Sequence, residues 1–178
     1  MKRAFLSIII LMMGLAQSEA KISRTFFGVS LGESRQRVMQ VMSINGYRIE
    51  DKPGGFTAHS TDRSHIAFRS YEWDSVEFTF IDVKLYSATF LMSAKNSSSK
   101  TVMDSYFGLV NQYIEDYRKY VKDAIDNSFT FNDKQTEVLC EFDSGGRGVD
   151  IEHYSDENVR ACVTILDYKV YKKMNKAK

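Results

Sequence analysis

Two hydrophobic periods alternate along the chain. Over 75–81, Val76, Phe78 and Phe80 alternate with Glu77 and Thr79, the pattern of a strand with one buried face. Over 84–93, Tyr86, Ala88, Phe90 and Met92 form the apolar set of a second strand, and 65–73 predicts a third with Ile66 and Phe68 inward. Shorter strands are expected at 25–27, 47–50 and 56–58, the last two flanking a Pro53-Gly54-Gly55 turn. The period lengthens to 3.6 between Ser34 and Asn45. There Val38, Val41 and Met42 share a face, Ser34 is the N-cap and Gly46 the stop. A longer helix is expected over 99–124, with a stripe of Met103, Tyr106, Phe107, Val110, Tyr113, Ile114, Tyr117, Val121 and Ala124. It would be about 39 Å long at 1.5 Å per residue. Strands resume at 129–131, 137–142, 149–154 and 159–168, and the lysine-bearing tail after 169 is expected to fray.

Helix then antiparallel strands, twice over, predicts an α+β domain across 21–170. It would be built as two successive helix-plus-antiparallel-meander halves, 21–95 and 96–170, with a helix layer on an antiparallel sheet layer. Residues 171–178 are the basic flexible tail. The stretch Phe26-Phe27-Gly28-Val29-Ser30-Leu31-Gly32-Glu33-Ser34, followed by an apolar helix and Gly46-Tyr47, resembles the opening of small uncharacterised secreted proteins of gut Bacteroidetes. The layout is also distantly similar to the helix-then-meander modules of outer-membrane-assembly lipoproteins and of β-lactamase-inhibitor-like proteins. This resemblance implies an envelope protein that binds other proteins, and it carries no catalytic residues across. The lipid-bearing cysteine of the lipoproteins is missing here.

The first 20 residues carry an address. Lys2 and Arg3 precede an apolar run from Ala4 to Ala16, and small residues stand at Ser18 and Ala20. Those are the parts of a secretory signal cleaved after Ala20. The run is shorter than the ~20 residues of a spanning helix, so no transmembrane anchor is expected in the mature chain. The whole chain of 178 residues has 24 basic and 23 acidic residues; removing Lys2, Arg3 and Glu19 leaves 22 of each. That neutral balance argues against a nucleic-acid partner. The expected product is exported and soluble, periplasmic or secreted.

Export makes Cys140 and Cys162 candidates for a disulfide. The strand alternation opposes it, putting Cys140 with Val138 and Phe142 and putting Cys162 on the face opposite Val163, with a third strand expected between the two.

Chemistry-bearing residues are sparse. His59 in Thr57-Ala58-His59-Ser60 and Ser144 in Asp143-Ser144-Gly145-Gly146 imitate protease motifs, but a long helix separates them and hairpin chemistry explains the second. His59, Asp62 and His65 have metal-ligand types without a familiar spacing, and His153 falls in phase with Val149 and Ile151 as a core-edge residue. No cofactor or metal is expected. If Ile66 and Phe68 point inward, Arg69, Tyr71 and Trp73 share the outward face, and these are the residue types that dominate interface hot spots. The expected function is a non-enzymatic protein- or glycan-binding module acting through a sheet face or edge. The alternative is a small hydrolase or small-ligand carrier with a site around His59, His65 or His153.

Overall fold

The computed structural model describes residues 21–125, 128–144 and 159–176. The chain is α+β: among the described residues, three α-helices accompany one eight-stranded antiparallel sheet and two small hairpins. The hairpin β1 (Thr25–Phe26) and β2 (Val29–Ser30) leads into helix α1 (Arg35–Ile44), whose first turn is capped by the Ser34 hydroxyl accepting from the Arg37 N–H. Then come β3 (Arg48–Lys52) and β4 (Gly55–His59), the hairpin β5 (Ile66–Phe68) and β6 (Tyr71–Trp73), and the long pair β7 (Ser75–Ile81) and β8 (Lys84–Ser93). Helix α2 (Ser99–Tyr117) starts at Ser98, whose hydroxyl accepts from the Thr101 N–H. A 3-10 turn (Arg118–Tyr120) leads to β9 (Val121–Ile125), β10 (Ser128–Asn132), β11 (Thr136–Asp143), β12 (Arg160–Asp167) and helix α3 (Tyr168–Lys176). The large sheet runs β3-β4-β7-β8-β12-β11-β10-β9.

Strand alternation sorts this sheet into two faces. Phe56, Phe78, Ala88, Ile165, Val138 and Phe131 are cross-strand partners in one fully buried row, and Ala58, Val76, Phe90, Val163 and Cys140 form the next. Helices α1 and α2 and both hairpins close over these rows as a single core. Phe90 is central, with the rings of Phe26, Phe27, Phe68 and Trp73 around it at 5.8, 5.7, 4.2 and 5.8 Å. The opposite face is largely polar, with Glu77, Thr89, Thr164, Leu139 and Thr130 in one half-exposed cross-strand row.

Both edges of the sheet are guarded against a further strand. The β3 edge carries Arg48, Glu50, Asp51 and Lys52, with Asp51 bound by Arg35 at 2.8 Å. On the β9 edge the ladder shifts between Thr130 and Phe131, so Lys122 bulges, and the Asp123 carboxylate accepts from the Ala124 N–H at 2.9 Å. A face therefore suits contact with a partner better than either edge.

Three expectations are corrected. Residues 65–73 form a hairpin rather than one strand, because Arg69 and Ser70 take φ of +50° and +66°, the pair of left-handed residues that a type I′ turn requires. The helix expected over 99–124 ends at Tyr117. Its buried residues are Val102, Tyr106, Leu109, Val110, Tyr113 and Tyr117, while Phe107 is 42% exposed and Val121 opens the edge strand. The tail is helical through Lys176, because Asp167 caps α3 with one carboxylate oxygen accepting from the Lys169 and Val170 N–H groups at 3.0 and 3.1 Å. The expected strand 149–154, with His153, and the loop glycines 145–148 lie outside the described residues. No helix among the described residues is long and apolar enough to cross a membrane.

The turn between β7 and β8 yields a prediction. Asp82 and Val83 have φ of +48° and +58°, and Val83 is exposed. A β-branched residue held there costs about 1–2 kcal/mol. Val83→Gly should raise the melting temperature by several degrees, read by thermal denaturation; a lower value would deny that this turn is strained.

Candidate functional site

Arg69, Tyr71 and Trp73 do not share an outward face. The turn at Arg69-Ser70 ends the alternation that placed them together. Trp73 is 3% exposed, packs on Phe90, and donates its indole N–H to the Phe68 carbonyl at 3.2 Å. Tyr71 is half-buried, and its hydroxyl occupies the space beside Gly108 on α2, where a Cβ would lie 2.1 Å away. The Arg69 guanidinium lies over the Tyr113 ring at 4.1 Å and donates to the Tyr117 hydroxyl at 3.1 Å and to Asp116 at 2.5 Å. Arg69 and Tyr71 hold the β5–β6 hairpin onto α2 and Trp73 holds it onto the sheet, which corrects the outward placement expected for the three.

Cys140 and Cys162 sit on directly paired strands, so no strand lies between them in the sheet, contrary to expectation. Cys140 is opposite Val163 and Cys162 is opposite Glu141, which puts the thiols on opposite faces, and both are free. Burial pushes the Cys140 thiol far up; burial and neighbouring Glu141 push Cys162 up to about 12. Neither is a thiolate at neutral pH.

His59 and His65 line one open cleft of about 550 Å³ together with Arg48, Asp62, Glu72 and Asp74. Several of its polar groups are committed to holding the surrounding segments together. The His59 ring Nε2 pairs with Glu50 at 3.1 Å, the Ser60 hydroxyl donates to the Trp73 carbonyl at 2.8 Å and accepts from the Ile66 N–H, and Asp74 accepts from the Ser93 N–H at 2.7 Å. Among the described residues no three His, Cys, Asp or Glu side chains converge as a metal site.

A second open groove, of about 590 Å³, lies at the corner where the 3-10 turn, β9, the β10–β11 turn and α3 meet. Five lysines line it: Lys119, Lys122, Lys134, Lys169 and Lys172. Tyr120 and Tyr168 stand among them, with the Lys119 ammonium 4.7 Å from the Tyr120 ring and the Lys122 ammonium 5.9 Å from the Tyr168 ring. Each segment is fixed by local chemistry. The β10–β11 turn is tied by Asp133, which accepts from the Gln135 and Thr136 N–H groups at 2.9 and 2.7 Å, and by Asn132 accepting from the Lys134 N–H at 2.6 Å. Helix α3 is fixed by its Asp167 cap, itself bound by Arg24 at 2.6 Å. Partial burial disfavours the ionised Asp167, but the Arg24 guanidinium and the helix N–H groups outweigh it and hold the carboxyl below the usual range. A lowered carboxyl pKa stabilises the fold above the unfolded value of about 3.9, and that contribution is lost as pH falls through the folded value.

No protein-family model, curated protein or solved structure matches this chain.

In the groove the side-chain chemistry is one-sided. Lys134, Lys169 and Lys172 have no carboxylate partner among the described residues, and Glu137 stands 3.7 Å from Lys122. Lysine offers a point charge on a flexible stem rather than the planar fork of arginine, so the groove suits several spaced anionic groups better than one bidentate contact. Asn132 and the two tyrosine hydroxyls add neutral polar groups. The sequence signal for the site is the lysine-bearing tail; Lys119 and Lys122 fall off the apolar stripe of the helix expected over 99–124, which marks them as solvent-facing rather than as part of a site.

Proposed function

We propose that this protein is an exported, soluble envelope protein, freed of residues 1–20 by cleavage after Ala20, that acts by binding rather than by catalysis. Its ligand is an acidic glycan held in the lysine groove. The observation that carries this reading is the convergence of five lysines from three segments in a chain whose formal charge is only +1. A chain that is nearly neutral overall and strongly basic at one concave corner concentrates its field there. The mixture of ammonium, amide and phenol groups matches a polymer that alternates anionic groups with hydroxyls.

The two-half architecture belongs to the same proposal. Four strands from the first half, β3-β4-β7-β8, are followed across the sheet by β12-β11-β10-β9, so the last strand of each meander pairs with the last of the other. That order supports two helix-plus-meander units joined tail to tail, the lysine groove belonging to the second.

Titration calorimetry with a sulfated oligosaccharide and its desulfated counterpart tests the function. The sulfated form should bind at least tenfold tighter at low salt, with affinity falling as salt rises. Equal binding of the two would refute the reading. A DNA oligonucleotide of equal charge binding as tightly would reduce it to unspecific charge attraction.

A further inference from the structure

Glu137 is a buried carboxylate behind the groove wall, in contact with two of the residues that line it. It is the second residue of β11, opposite Asn132 on β10 and Leu166 on β12, and it is 8% exposed. Burying a carboxylate is costly unless it is paired and hydrogen-bonded. Here both partners line the groove: Asn132 Nδ2 donates to Glu137 Oε2 at 2.6 Å, and Lys122 Nζ stands 3.7 Å from the same oxygen. The Glu137 side chain is fixed, with 11% exposure, whereas that of Lys122 is 58% exposed and can swing. The Lys122 ammonium therefore leans on an internal anion when the groove is free.

Resting on the groove reading above, we propose that Glu137 is the resident anion of the site, with which an incoming anionic group competes for Lys122 and Asn132. No bond is made or broken. The ligand replaces an internal ion pair with an external one, and the Glu137 charge left close by repels it. Glu137 thereby sets a threshold on charge: ligands with closely spaced anionic groups bind, and sparsely charged ones are turned away.

Glu137→Gln keeps the size and an oxygen that can accept from Asn132 while removing the charge. The sulfated oligosaccharide should then bind about tenfold tighter, as expected for removing one like charge about 5 Å from the ligand in an open, solvent-screened groove with an effective dielectric constant of about 50. The desulfated form should not change. Lys122→Met in the otherwise unaltered protein should cost less than threefold in affinity, because Lys122 is already neutralised, whereas Lys172→Met should cost about fivefold. This comparison holds even if Glu137→Gln fails to fold. If the unaltered protein binds the sulfated ligand while Glu137→Gln binds it equally or more weakly, or if Lys122→Met costs as much as Lys172→Met, then Glu137 only positions Lys122 and the proposal is overturned. If the unaltered protein does not bind at all, it is the groove reading that fails.

Discussion

Replacing Phe90 with alanine should remove about 4 kcal/mol of stability, within the range for deleting a buried aromatic ring. Phe90 is fully buried at the middle of β8, with Val76 and Val163 as its cross-strand neighbours. The rings around it come from separate parts of the chain. Phe26 and Phe27 belong to the first hairpin, and Phe68, parallel to Phe90 within 13°, and Trp73 belong to the second. No single neighbour can move in to fill the void without dragging a hairpin off the sheet, so the cavity term should stay large. Urea unfolding followed by fluorescence of the single tryptophan measures it. A loss under 1.5 kcal/mol would mean that the hairpins do not share one core with the sheet.

The second large effect concerns binding. Changing Lys134, Lys169 and Lys172 together to methionine should weaken the sulfated oligosaccharide about 100-fold, taking about 1 kcal/mol for each partly exposed charge contact. The melting temperature should hardly move, because none of the three has a carboxylate partner among the described residues. Affinity retained within threefold would remove the lysines from the site.

The elements legible in the sequence are those in which local pattern and tertiary burial agree. The strands at Ser75–Ile81 and Lys84–Ser93 match their alternation at Val76, Phe78, Ala88, Phe90 and Met92, while a register shift after Thr79 leaves Phe80 and Tyr86 half-buried and buries Leu85; Ser34 caps its helix as its chemistry demands. The pattern misleads where a tertiary requirement overrides it. Ile66, Phe68 and Trp73 keep an apolar flavour through a turn that contains no glycine or asparagine, so the reversal at Arg69-Ser70 has no local signature. Val121 and Ala124 continue a helical stripe by coincidence, while the backbone of β10 needs β9 as its partner. Trp73 on an outward face followed from that missed reversal.

The groove was illegible for a different reason. Lys119, Lys134 and Lys169 lie far apart in sequence, and only the β10–β11 turn and the Asp167 cap bring them to one corner. The alternative built on histidine gained part of its geometry, since His59 and His65 do face one cleft. There the Ser60 hydroxyl and the Asp74 carboxylate are taken up by backbone contacts, and His59 is paired with Glu50.

The most direct test of the account is to follow the sulfated oligosaccharide titration residue by residue in amide-resolved NMR spectra. The account predicts shifts concentrated at 119–122, 132–134 and 168–172, with the cleft around His59 and His65 unchanged. Shifts centred on that cleft, or spread evenly over the surface, would contradict it.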